Sequence, residues 1–421
     1  MRLRWLLVVV GIFSITLAAS AADWPQWRGP ERNGISKESG LLKEWPKEGP
    51  RLLWQVKDIG NGYSTPAVAG DRIYLVSNKG LDDEFVQARR VKDGQPAWTT
   101  SIGKVGPNTP AYPFPGSRST PTVDGAFLYA LGSDGDLVCL KASDGAKVWH
   151  KNLRTDFGGQ PGQWAYSESP LVDGDLVVCT PGGKDATLVA LDKRKGSEIW
   201  KSAVPGGDKA AYASIILVEI GGLKQYVQFL GDGLVGLDAK DGRFLWRYGK
   251  TGATPANIPT PVARGGYVYS ASGMAGGGLV KVTVVKDVVT ADPVYFQKNL
   301  PTSIGGSILV DQFLYGTNAR GLMCVEYTTG KEKWQEMGVG AGAVCYADGR
   351  IYVHGEDTGA VALVEATPLS YREKGLFTPP DQPDHGKSKA WTYPVVANGR
   401  LYLRDMGVLW CYEVKHPGTG K

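Results

Sequence analysis

Few side chains in this 421-residue sequence have the type and spacing that nucleophilic catalysis or metal binding requires. The four histidines share no spacing typical of metal ligands, and they are His150, His354, His385 and His416. The five cysteines form no CxxC pair and lie in apolar runs, at Cys139, Cys179, Cys324, Cys345 and Cys411. We therefore expect buried free thiols, no metal site, and no Ser–His–Asp or Cys–His catalytic arrangement.

A second set of residues combines charged, amide and aromatic side chains that could bind a polar ligand. The set comprises Arg118, Tyr166, Glu168, Asn257, Asn318, Arg320 and Trp391. Each stands where a predicted turn meets a predicted strand, so the seven form one site only if those strand ends converge. The alternative is a hydrated rim closed by salt bridges. Which alternative holds depends on whether the fold brings these strand ends together.

A repeated Gly-x-x-x-Trp motif identifies the elements that would position these residues. Five copies occur with unchanged internal spacing, namely Gly94 to Trp98, Gly145 to Trp149, Gly196 to Trp200, Gly242 to Trp246 and Gly330 to Trp334. Phe296 and Phe377 take the equivalent place in two degenerate copies. We interpret the large aromatic residues as structural anchors that cover the seams between repeats, and these are Trp54, Trp98, Trp149, Trp200, Trp246 and Trp334.

Each repeat contains four short predicted strands. A Ser/Thr-Pro stretch such as Ser119-Thr120-Pro121 opens the unit, and an Asp-Gly turn then favours a hairpin. An alternating strand with a central aromatic follows, and the Gly-x-x-x-Trp strand ends the unit. Four antiparallel strands in 38 to 51 residues are typical of a propeller blade. Eight such units predict an all-β, eight-bladed β-propeller.

The eighth unit, residues 391–414, contains only three predicted strands. The missing outer strand is expected from Arg51–Val56, which would close the ring and remove two exposed sheet edges. The predicted organisation is a signal peptide at 1–22, an irregular segment across the propeller at 23–50, the propeller at 51–415 and a tail at 416–421. The block 367–389 interrupts the seventh repeat and is expected to be a surface loop.

The N-terminus has the pattern of a secretory signal. Arg2 and Arg4 precede a short apolar run, Trp5 to Leu17, and small residues lead to Asp23. The alternative is a membrane anchor, but the run is short for a bilayer span. We expect an exported, periplasmic or extracellular monomer with no membrane span after cleavage. The formal charge of +5 is too small to indicate nucleic-acid binding.

The Leu-Asp-x-x-x-Gly-x-x-x-Trp strings at Leu191 to Trp200 and Leu237 to Trp246 resemble the repeats of the quinoprotein family. This family includes the pyrroloquinoline-quinone (PQQ) alcohol dehydrogenases and the non-enzymatic outer-membrane assembly factor BamB. The start Asp23-Trp24-Pro25-Gln26-Trp27-Arg28-Gly29-Pro30 resembles that of secreted PQQ-like repeat proteins. The resemblance covers roughly residues 23 to 415 and implies the propeller fold, while function depends on the site.

The resemblance also implies what an enzyme of this family would need, which is a calcium ion and the quinone at the propeller mouth with an Asp as base. Glu168 and Asn257 would be candidate calcium ligands. The inner-strand entrance at 301–306 has no Asp, no two cysteines are adjacent, and no CxxCH haem motif occurs. We therefore expect no cofactor and predict a non-catalytic, BamB-like scaffold whose partner is an envelope protein. The alternatives are a PQQ- and calcium-dependent alcohol or sugar dehydrogenase, and a propeller that binds a glycan or another small ligand.

Overall fold

The computed structural model describes residues 22–106 and 116–418, and the predicted signal peptide falls almost wholly outside these ranges. The described residues form eight antiparallel sheets of four propeller strands each, with one short helix. This arrangement confirms the predicted all-β, eight-bladed propeller. We call the face where the chain enters the innermost strand of each blade the upper face, and the opposite one the lower face.

The strands follow one another from the innermost to the outermost position of each blade. Two strands precede the first complete blade, β1 (Ile35–Ser36) and β2 (Arg51–Val56). Blades one and two contain β3 (Ala67–Ala69), β4 (Arg72–Lys79), β5 (Asp83–Arg90), β6 (Pro96–Gly103), β7 (Thr122–Asp124), β8 (Phe127–Leu131), β9 (Asp136–Lys141) and β10 (Lys147–Asn152). After the helix α1 (Leu153–Phe157), blades three and four contain β11 (Leu171–Asp173), β12 (Leu176–Cys179), β13 (Leu188–Asp192), β14 (Glu198–Ser202), β15 (Ile216–Ile220), β16 (Leu223–Leu230), β17 (Gly233–Asp238) and β18 (Phe244–Tyr248).

The second half of the ring repeats this order. Blades five and six contain β19 (Val262–Arg264), β20 (Tyr267–Ser272), β21 (Gly276–Val285), β22 (Val288–Gln297), β23 (Ser307–Val310), β24 (Phe313–Asn318), β25 (Gly321–Glu326) and β26 (Glu332–Glu336). Blades seven and eight contain β27 (Gly342–Ala347), β28 (Arg350–Gly355), β29 (Val361–Glu365), β30 (Glu373–Phe377), β31 (Val395–Ala397), β32 (Arg400–Asp405) and β33 (Val408–Glu413).

The hydrophobic core lies between blades. Val76 and Val86 of blade one, for example, pack in one cluster with Leu128 and Leu140 of blade two. Equivalent clusters join each later pair of neighbouring blades up to blade seven, and one larger cluster joins blades seven, eight and one. The cysteines belong to these clusters, and all five are free and buried, as predicted. Each sheet therefore depends on its neighbours to remove its apolar faces from water.

The Gly-x-x-x-Trp motif is explained by contacts across these seams. The indole N–H of Trp98 donates to the carbonyl of Ala142 in the next blade at 3.1 Å. That blade's motif glycine, Gly145, has φ +74°, and a Cβ atom there would lie 2.5 Å from the Trp98 ring. Trp149 repeats the arrangement with Lys193 (2.9 Å) and Gly196. The tryptophan of one blade thus packs on the glycine of the next, which supports its predicted structural role.

Blade five departs from the sequence prediction. Tyr295, rather than Phe296, docks on the next blade, because its hydroxyl donates to the Tyr327 carbonyl at 2.9 Å and its ring contacts Gly330. Phe296 is 37% exposed. Tyr295 directly follows the bulged residue of β22, which is the position that Trp200 and Trp246 hold in their strands, and Phe296 comes one residue later. The prediction that Phe296 takes the place equivalent to the motif tryptophans was therefore wrong by one residue.

The ring closes as predicted, because β2 pairs antiparallel with β33 of blade eight. Trp54 of β2 then docks on blade one, and its indole N–H donates to the Val91 carbonyl at 3.0 Å. Arg51 adds an ion pair with Glu413 at 2.7 Å. The first and last blades are therefore held together by a sheet composed of both ends of the chain.

Residues 22–36 cross the lower face of the ring. Trp24 exchanges two backbone hydrogen bonds of 2.8 Å with Val68 of blade one. The Arg32 guanidinium reaches the Ser169 and Pro170 carbonyls of blade three, at 2.8 and 3.1 Å. Further on, β1 pairs parallel with β27 of blade seven. This segment therefore spans the lower end of the central channel.

The block 367–389 was expected to be a surface loop, and the structure places the outer strand of blade seven inside it. This strand is β30, and its last residue, Phe377, is 8% exposed. The Phe377 ring lies 4.9 Å from that of Tyr412, and a Cβ atom at Gly49 would lie 2.5 Å from Phe377. Phe377 therefore does act as an anchor, and the loop proper begins after it.

Substitution of Gly145 by alanine tests the docking of tryptophan on glycine. We expect a loss of about 2–4 kcal/mol in the free energy of unfolding, from the clash with Trp98 and from the left-handed backbone. Gly125→Ala is the matched control, because Gly125 has φ +57° and open space around it. Gly125→Ala should lower the free energy of unfolding only by the contribution of the left-handed backbone, about 1–2 kcal/mol. Equal losses in urea titrations of the two variants would contradict the packing explanation.

Candidate functional site

A cavity of about 260 Å³ lies where the entrances of the innermost strands converge on the propeller axis. Its lining residues come from the entrances of the innermost strands of several blades and from the N-terminal segment. They are Trp27, Tyr63, Thr65, Arg118, Trp164, Ser167, Tyr212, Ala256, Ile258, Ile304, Trp391 and Tyr393. Convergence of these strand entrances on one cavity follows from the radial arrangement of the blades.

Three pairs of aromatic rings dominate the wall. The ring centroids of Tyr63 and Trp391 are 5.1 Å apart, and those of Trp164 and Tyr212 are 5.7 Å apart. Trp27 meets the Tyr393 ring edge-on at 4.6 Å. All three distances lie in the range at which aromatic pairs attract each other. The rings therefore support one another and hold the cavity open.

Trp27 closes the lower end of the cavity. It belongs to the segment that crosses the lower face, and its indole N–H donates to the Thr260 hydroxyl at 2.8 Å. The sequence prediction did not include Trp27, which lies outside the repeats, or Tyr393, which lies two residues after Trp391 in the entrance to β31. The sequence Trp-Pro-Gln-Trp-Arg at residues 24–28 marks an unusual aromatic segment. Because this segment lies outside the repeats, the repeat pattern does not predict where in the fold Trp27 lies.

Arg118 brings a positive charge into the wall. Its Nη1 donates to the Gly116 carbonyl at 2.9 Å, and its Cζ lies 5.4 Å from the centroid of the Tyr63 ring. Burial lowers the pKa of Arg118, while the nearby phenols of Tyr63 and Tyr212 oppose that change. A guanidinium packed on an aromatic face keeps its charge at low cost in hydration.

The loop after β30 supplies part of the rim. The Ser388 hydroxyl lies 2.8 Å from the Tyr63 hydroxyl, and His385 Nε2 lies 2.5 Å from Oδ2 of the buried Asp405. Lys389 bridges Glu356 and an adjacent aspartate at 2.9 Å each. These contacts attach the loop to blades one, seven and eight beside the cavity.

Of the seven residues predicted to form a site, the cavity contains Arg118 and Trp391. Tyr166 is buried between blades two and three, and its hydroxyl donates to the Pro181 carbonyl at 2.9 Å. The Asn318 amide oxygen accepts from the Arg320 backbone and from Gln335, at 2.8 and 2.6 Å. Arg320 itself is exposed.

The two remaining candidates, Glu168 and Asn257, hold structural positions. Glu168 accepts hydrogen bonds from the Thr180 backbone, the Thr180 hydroxyl (2.8 Å) and the Gln228 amide (3.0 Å). Asn257 accepts from Ala253 at 2.9 Å and donates to the Leu230 carbonyl at 2.7 Å. Neither residue lines the cavity.

This arrangement does not fit a calcium-bound quinone. Both carboxylate oxygens of Glu168 and both polar groups of Asn257 are engaged inside the blades, so neither is directed at a ligand in the cavity. Within residues 22–106 and 116–418, no three His, Cys, Asp or Glu side chains gather as a metal site would require. We therefore derive no reaction through such a group.

The buried carboxyl groups of Glu84 and Glu168 are weaker acids than an ordinary glutamate. Burial raises the pKa of Glu84 and that of Glu168 to about 7 in each case, although both accept hydrogen bonds. Glu84 Oε2 accepts from the Ser133 backbone at 2.8 Å and from its hydroxyl at 3.0 Å. Nothing in the sequence pattern distinguished Glu84, because it lies in an ordinary strand position.

The protein is therefore expected to lose stability between pH 4.5 and pH 7. Below pH 4.5 both the folded and the unfolded chain hold the Glu84 proton, whereas between 4.5 and about 7 only the folded chain does. Glu84 alone contributes about 3 kcal/mol to this loss, and Glu168 contributes in the same pH range. Glu84→Gln, which imitates the protonated group, should remove the Glu84 part of the dependence, leave the Glu168 part, and be more stable than the wild-type protein at pH 8. Urea titrations at pH 5 and pH 8 measure both effects, and an unchanged dependence would contradict the explanation.

The ring of four-stranded blades with docked tryptophans defines the class of this protein as a PQQ-like repeat propeller. The family model described as outer membrane protein assembly factor BamB matches residues 34–163 and 82–336, and the chain belongs to this family. The outer membrane protein assembly factor BamB of Yersinia pestis is 24% identical over 258 residues, 56% of this chain and 60% of that protein. The match thus spans less than two thirds of that relative.

Solved structures agree on the fold. BamB from Moraxella catarrhalis superimposes with a TM-score of 0.57 at 17% identity, covering 87% of this chain and 99% of that one. A quinohemoprotein alcohol dehydrogenase from Pseudomonas putida HK5 gives 0.59 at 13% identity, covering 95% and 81%. At these identities both comparisons concern the architecture alone. In the described part of the chain, none of the helices has the length and apolar character to cross a bilayer.

Proposed function

We propose that this protein is a non-catalytic binding scaffold, exported to the cell envelope, that holds a partner protein against its upper face. Membership of the BamB family supports the scaffold role and the envelope as its place of action. The observation that carries the proposal is the engagement of Glu168 and Asn257 in internal hydrogen bonds. The residues best suited to hold a catalytic metal thus contribute to the stability of the blades.

The upper face has the chemistry of a protein contact. Leu81, Met274 and Met337 stand in its turns and are 45, 61 and 56% exposed. Flexible methionine side chains adapt to irregular apolar surfaces, and they recur at protein-binding sites. Lys389, between Glu356 and Asp357, adds charge at the rim. A partner with an apolar segment flanked by charged residues would complement this face.

Site-specific photo-crosslinking in intact cells tests the proposal. A photoreactive phenylalanine analogue is placed at Met274 or Met337 on the upper face, and at Leu369 on the lower face as control. Leu369 is 75% exposed and lies in a turn between the third and fourth strands of its blade. We expect the upper positions to crosslink one envelope protein that the lower position does not. Equal or absent crosslinking from both faces would contradict the role of the upper face.

The dehydrogenase alternative has its own test. PQQ and Ca²⁺ are added to the purified protein, and binding is followed by absorbance and by dye-linked oxidation of alcohols or sugars. We expect neither a bound quinone nor substrate-dependent dye reduction. A new absorbance band together with dye reduction would overturn the non-catalytic proposal.

A further inference from the structure

The N-terminal segment that crosses the lower face binds six blades at or beside their innermost strands. It exchanges backbone hydrogen bonds with β3 and accepts one from β7 at 2.8 Å. Arg32 and Arg28 donate to carbonyls just before β11 and in β23. β1 pairs with β27, and the Ser36 hydroxyl donates to a carbonyl of β31 at 2.8 Å. Within residues 22–106 and 116–418, the segment forms no hydrogen bond with β15 of blade four or β19 of blade five.

A second cavity, which we call the lower cavity, lies between this segment and the two uncovered strands. Its volume of about 540 Å³ falls in the range of about 300–1,000 Å³ usual for ligand sites. β15 lines it along its whole length, Ile216–Ile220, together with Arg32 and Ile35 of the segment. β15 is the end strand of its sheet, so every second residue directs its N–H and C=O groups away from β16.

The chain already adds a strand to one such inner edge. β1 pairs parallel with β27 through Ile35 and Ser36, and the Tyr346 N–H donates to the Gly34 carbonyl at 2.9 Å. Among the described residues, β27 with six residues and β15 with five are the longest innermost strands. Five residues of β27 are buried, whereas only two of β15 are. β15 therefore offers the kind of edge that β1 covers on β27.

Two arginines in the wall of the lower cavity have uncharged partners. Arg32 is 3% exposed, and its Nη atoms donate to the Gln26 side chain and to two backbone carbonyls of blade three. Its Nε has no hydrogen-bond partner among the described residues. Burial lowers the pKa of Arg32 only to about 10, so the group is charged at neutral pH. Arg264 donates to two backbone carbonyls of blade six, one of them at 3.1 Å.

The lower cavity also contains two carboxylates. Glu31 forms an exposed ion pair with Lys37, and Glu219 is exposed on β15. Neither is buried beside Arg32, and a buried cation is stabilised most by a carboxylate that also accepts its hydrogen bonds. A carboxylate brought in by a partner would complete the bonding of the Arg32 guanidinium.

We propose that the lower cavity binds an extended, acidic segment of a partner protein, which adds as a strand to β15 and places a carboxylate on Arg32. Strand addition supplies main-chain hydrogen bonds, and the guanidinium selects the side chain. A small carboxylate alone would satisfy Arg32 but leave the edge of β15 unpaired. The inference goes beyond the scaffold role of the upper face and does not depend on it.

Fluorescence anisotropy with the chain 23–421 and labelled hexapeptides tests the proposal. The peptides alternate valine and threonine, one glutamate is moved through all positions, and each peptide has a glutamine counterpart. We expect at least one glutamate peptide to bind about tenfold tighter than its counterpart. Absence of binding by every peptide, or equal affinity within every pair, would overturn the proposal. Equally tight binding of acetyl-glutamate amide would indicate a site for small anions and would also overturn it.

Methylation of the peptide backbone tests strand addition. In the tightest peptide, N-methyl groups are placed either on the odd-numbered or on the even-numbered amides. Only one of these two sets can face β15, because the N–H groups of a strand alternate in direction. We expect one methylated peptide to lose at least about tenfold in affinity and the other to change by less than about threefold. Equal effects of the two would contradict strand addition.

Variants locate the binding site. Arg32→Gln should abolish the preference for glutamate over glutamine. Arg264→Gln should weaken the glutamate peptide by about threefold, and Glu219→Gln should strengthen it by about as much. Arg194→Gln is the control, because Arg194 is exposed in a lower-face turn of blade three outside the cavity. A preference that survives Arg32→Gln, or is lost in Arg194→Gln, would place the site elsewhere and overturn the proposal.

Thermal unfolding of each variant accompanies the titrations. If Arg32→Gln does not fold, the opposite changes expected for Arg264→Gln and Glu219→Gln decide, because both side chains are exposed. Changes in the same direction would then overturn the proposal. The two proposals fail separately, since Leu369, the crosslinking control, lies in blade seven, three blades from β15. Loss of peptide binding with retained upper-face crosslinking removes only the lower site, and the reverse result removes only the upper-face role.

Discussion

A chain that begins at residue 57 is expected to have no cooperative unfolding transition, whereas one that begins at residue 51 retains it. The two differ only in β2, the strand that pairs with β33 and completes blade eight. Both lack the segment that crosses the lower face, so the comparison isolates ring closure. Urea titration followed by circular dichroism measures the transition, and equal transitions in the two chains would contradict the closure.

The size of this effect follows from what β2 covers. Leu409, Trp410 and Tyr412 of β33 are at most 2% exposed, and loss of β2 would expose their strand to solvent. It would also leave the outer edge of β33 unpaired. Because each of these hydrophobic clusters spans at least two blades, a gap at one seam weakens the blades on both sides.

A point substitution in the full-length chain tests the same seam. Trp54→Ala should lower the free energy of unfolding by about 3 kcal/mol, because its ring packs on Gly94 and its indole N–H binds the Val91 carbonyl. Leu52→Ala in the same strand is the control. Leu52 is 38% exposed and should cost less than about 1 kcal/mol. Similar losses for the two would show that Trp54 is not an anchor.

The repeat was predictable from the sequence because blade packing depends on a few obligatory contacts. Gly145 must be glycine, since a side chain there would overlap Trp98, and the same requirement recurs at Gly94, Gly196, Gly242 and Gly330. The departure in blade five was not predictable. Tyr295 and Phe296 are adjacent aromatics, and only the register shift in the β21–β22 pairing determines which of them faces the seam.

The site was less predictable than the fold. Strand entrances converge in any propeller, so Arg118 and Trp391 could be placed at the mouth from the repeat alone. Whether Glu168 and Asn257 point into the cavity or into the blades depends on side-chain partners distant in sequence, such as Gln228 at 3.0 Å from Glu168. Trp27 reaches the cavity from outside the repeats, so no repeat pattern places it.

The Arg404 side chain connects the last blade to the first, in addition to the β2–β33 pairing. It lies in β32 of blade eight and is fully buried. Its Nη1 donates to the Ser64 and Val76 carbonyls of blade one, at 3.0 and 2.8 Å. Its Nη2 donates to the Ser77 hydroxyl at 2.9 Å, with further bonds to the backbone before blade one. Burial lowers the pKa of Arg404 to about 9, which reflects the cost of holding this charge inside.

Arg404→Met is therefore expected to cost about 3–5 kcal/mol, although methionine fills most of the space. Breaking a buried, hydrogen-bonded charge leaves its partners without donors, and here those partners are several main-chain carbonyls. Arg400→Met is the matched control, because Arg400 lies in the same strand and donates to the Val91 carbonyl across the same seam. Since Arg400 is only partly buried, its loss should cost about 1 kcal/mol.

Arg404→Lys tests whether the positive charge or the set of hydrogen bonds stabilises the seam between blades eight and one. Lysine keeps the positive charge but offers a single compact donor group, so it cannot reach the Ser64, Val76 and Ser77 oxygens together. We expect a stability between those of the wild-type and Arg404→Met proteins, measured by urea titration at pH 7. Full stability in Arg404→Lys would mean that charge alone holds the seam. Equal losses in Arg404→Met and Arg400→Met would mean that burial of the hydrogen bonds adds nothing.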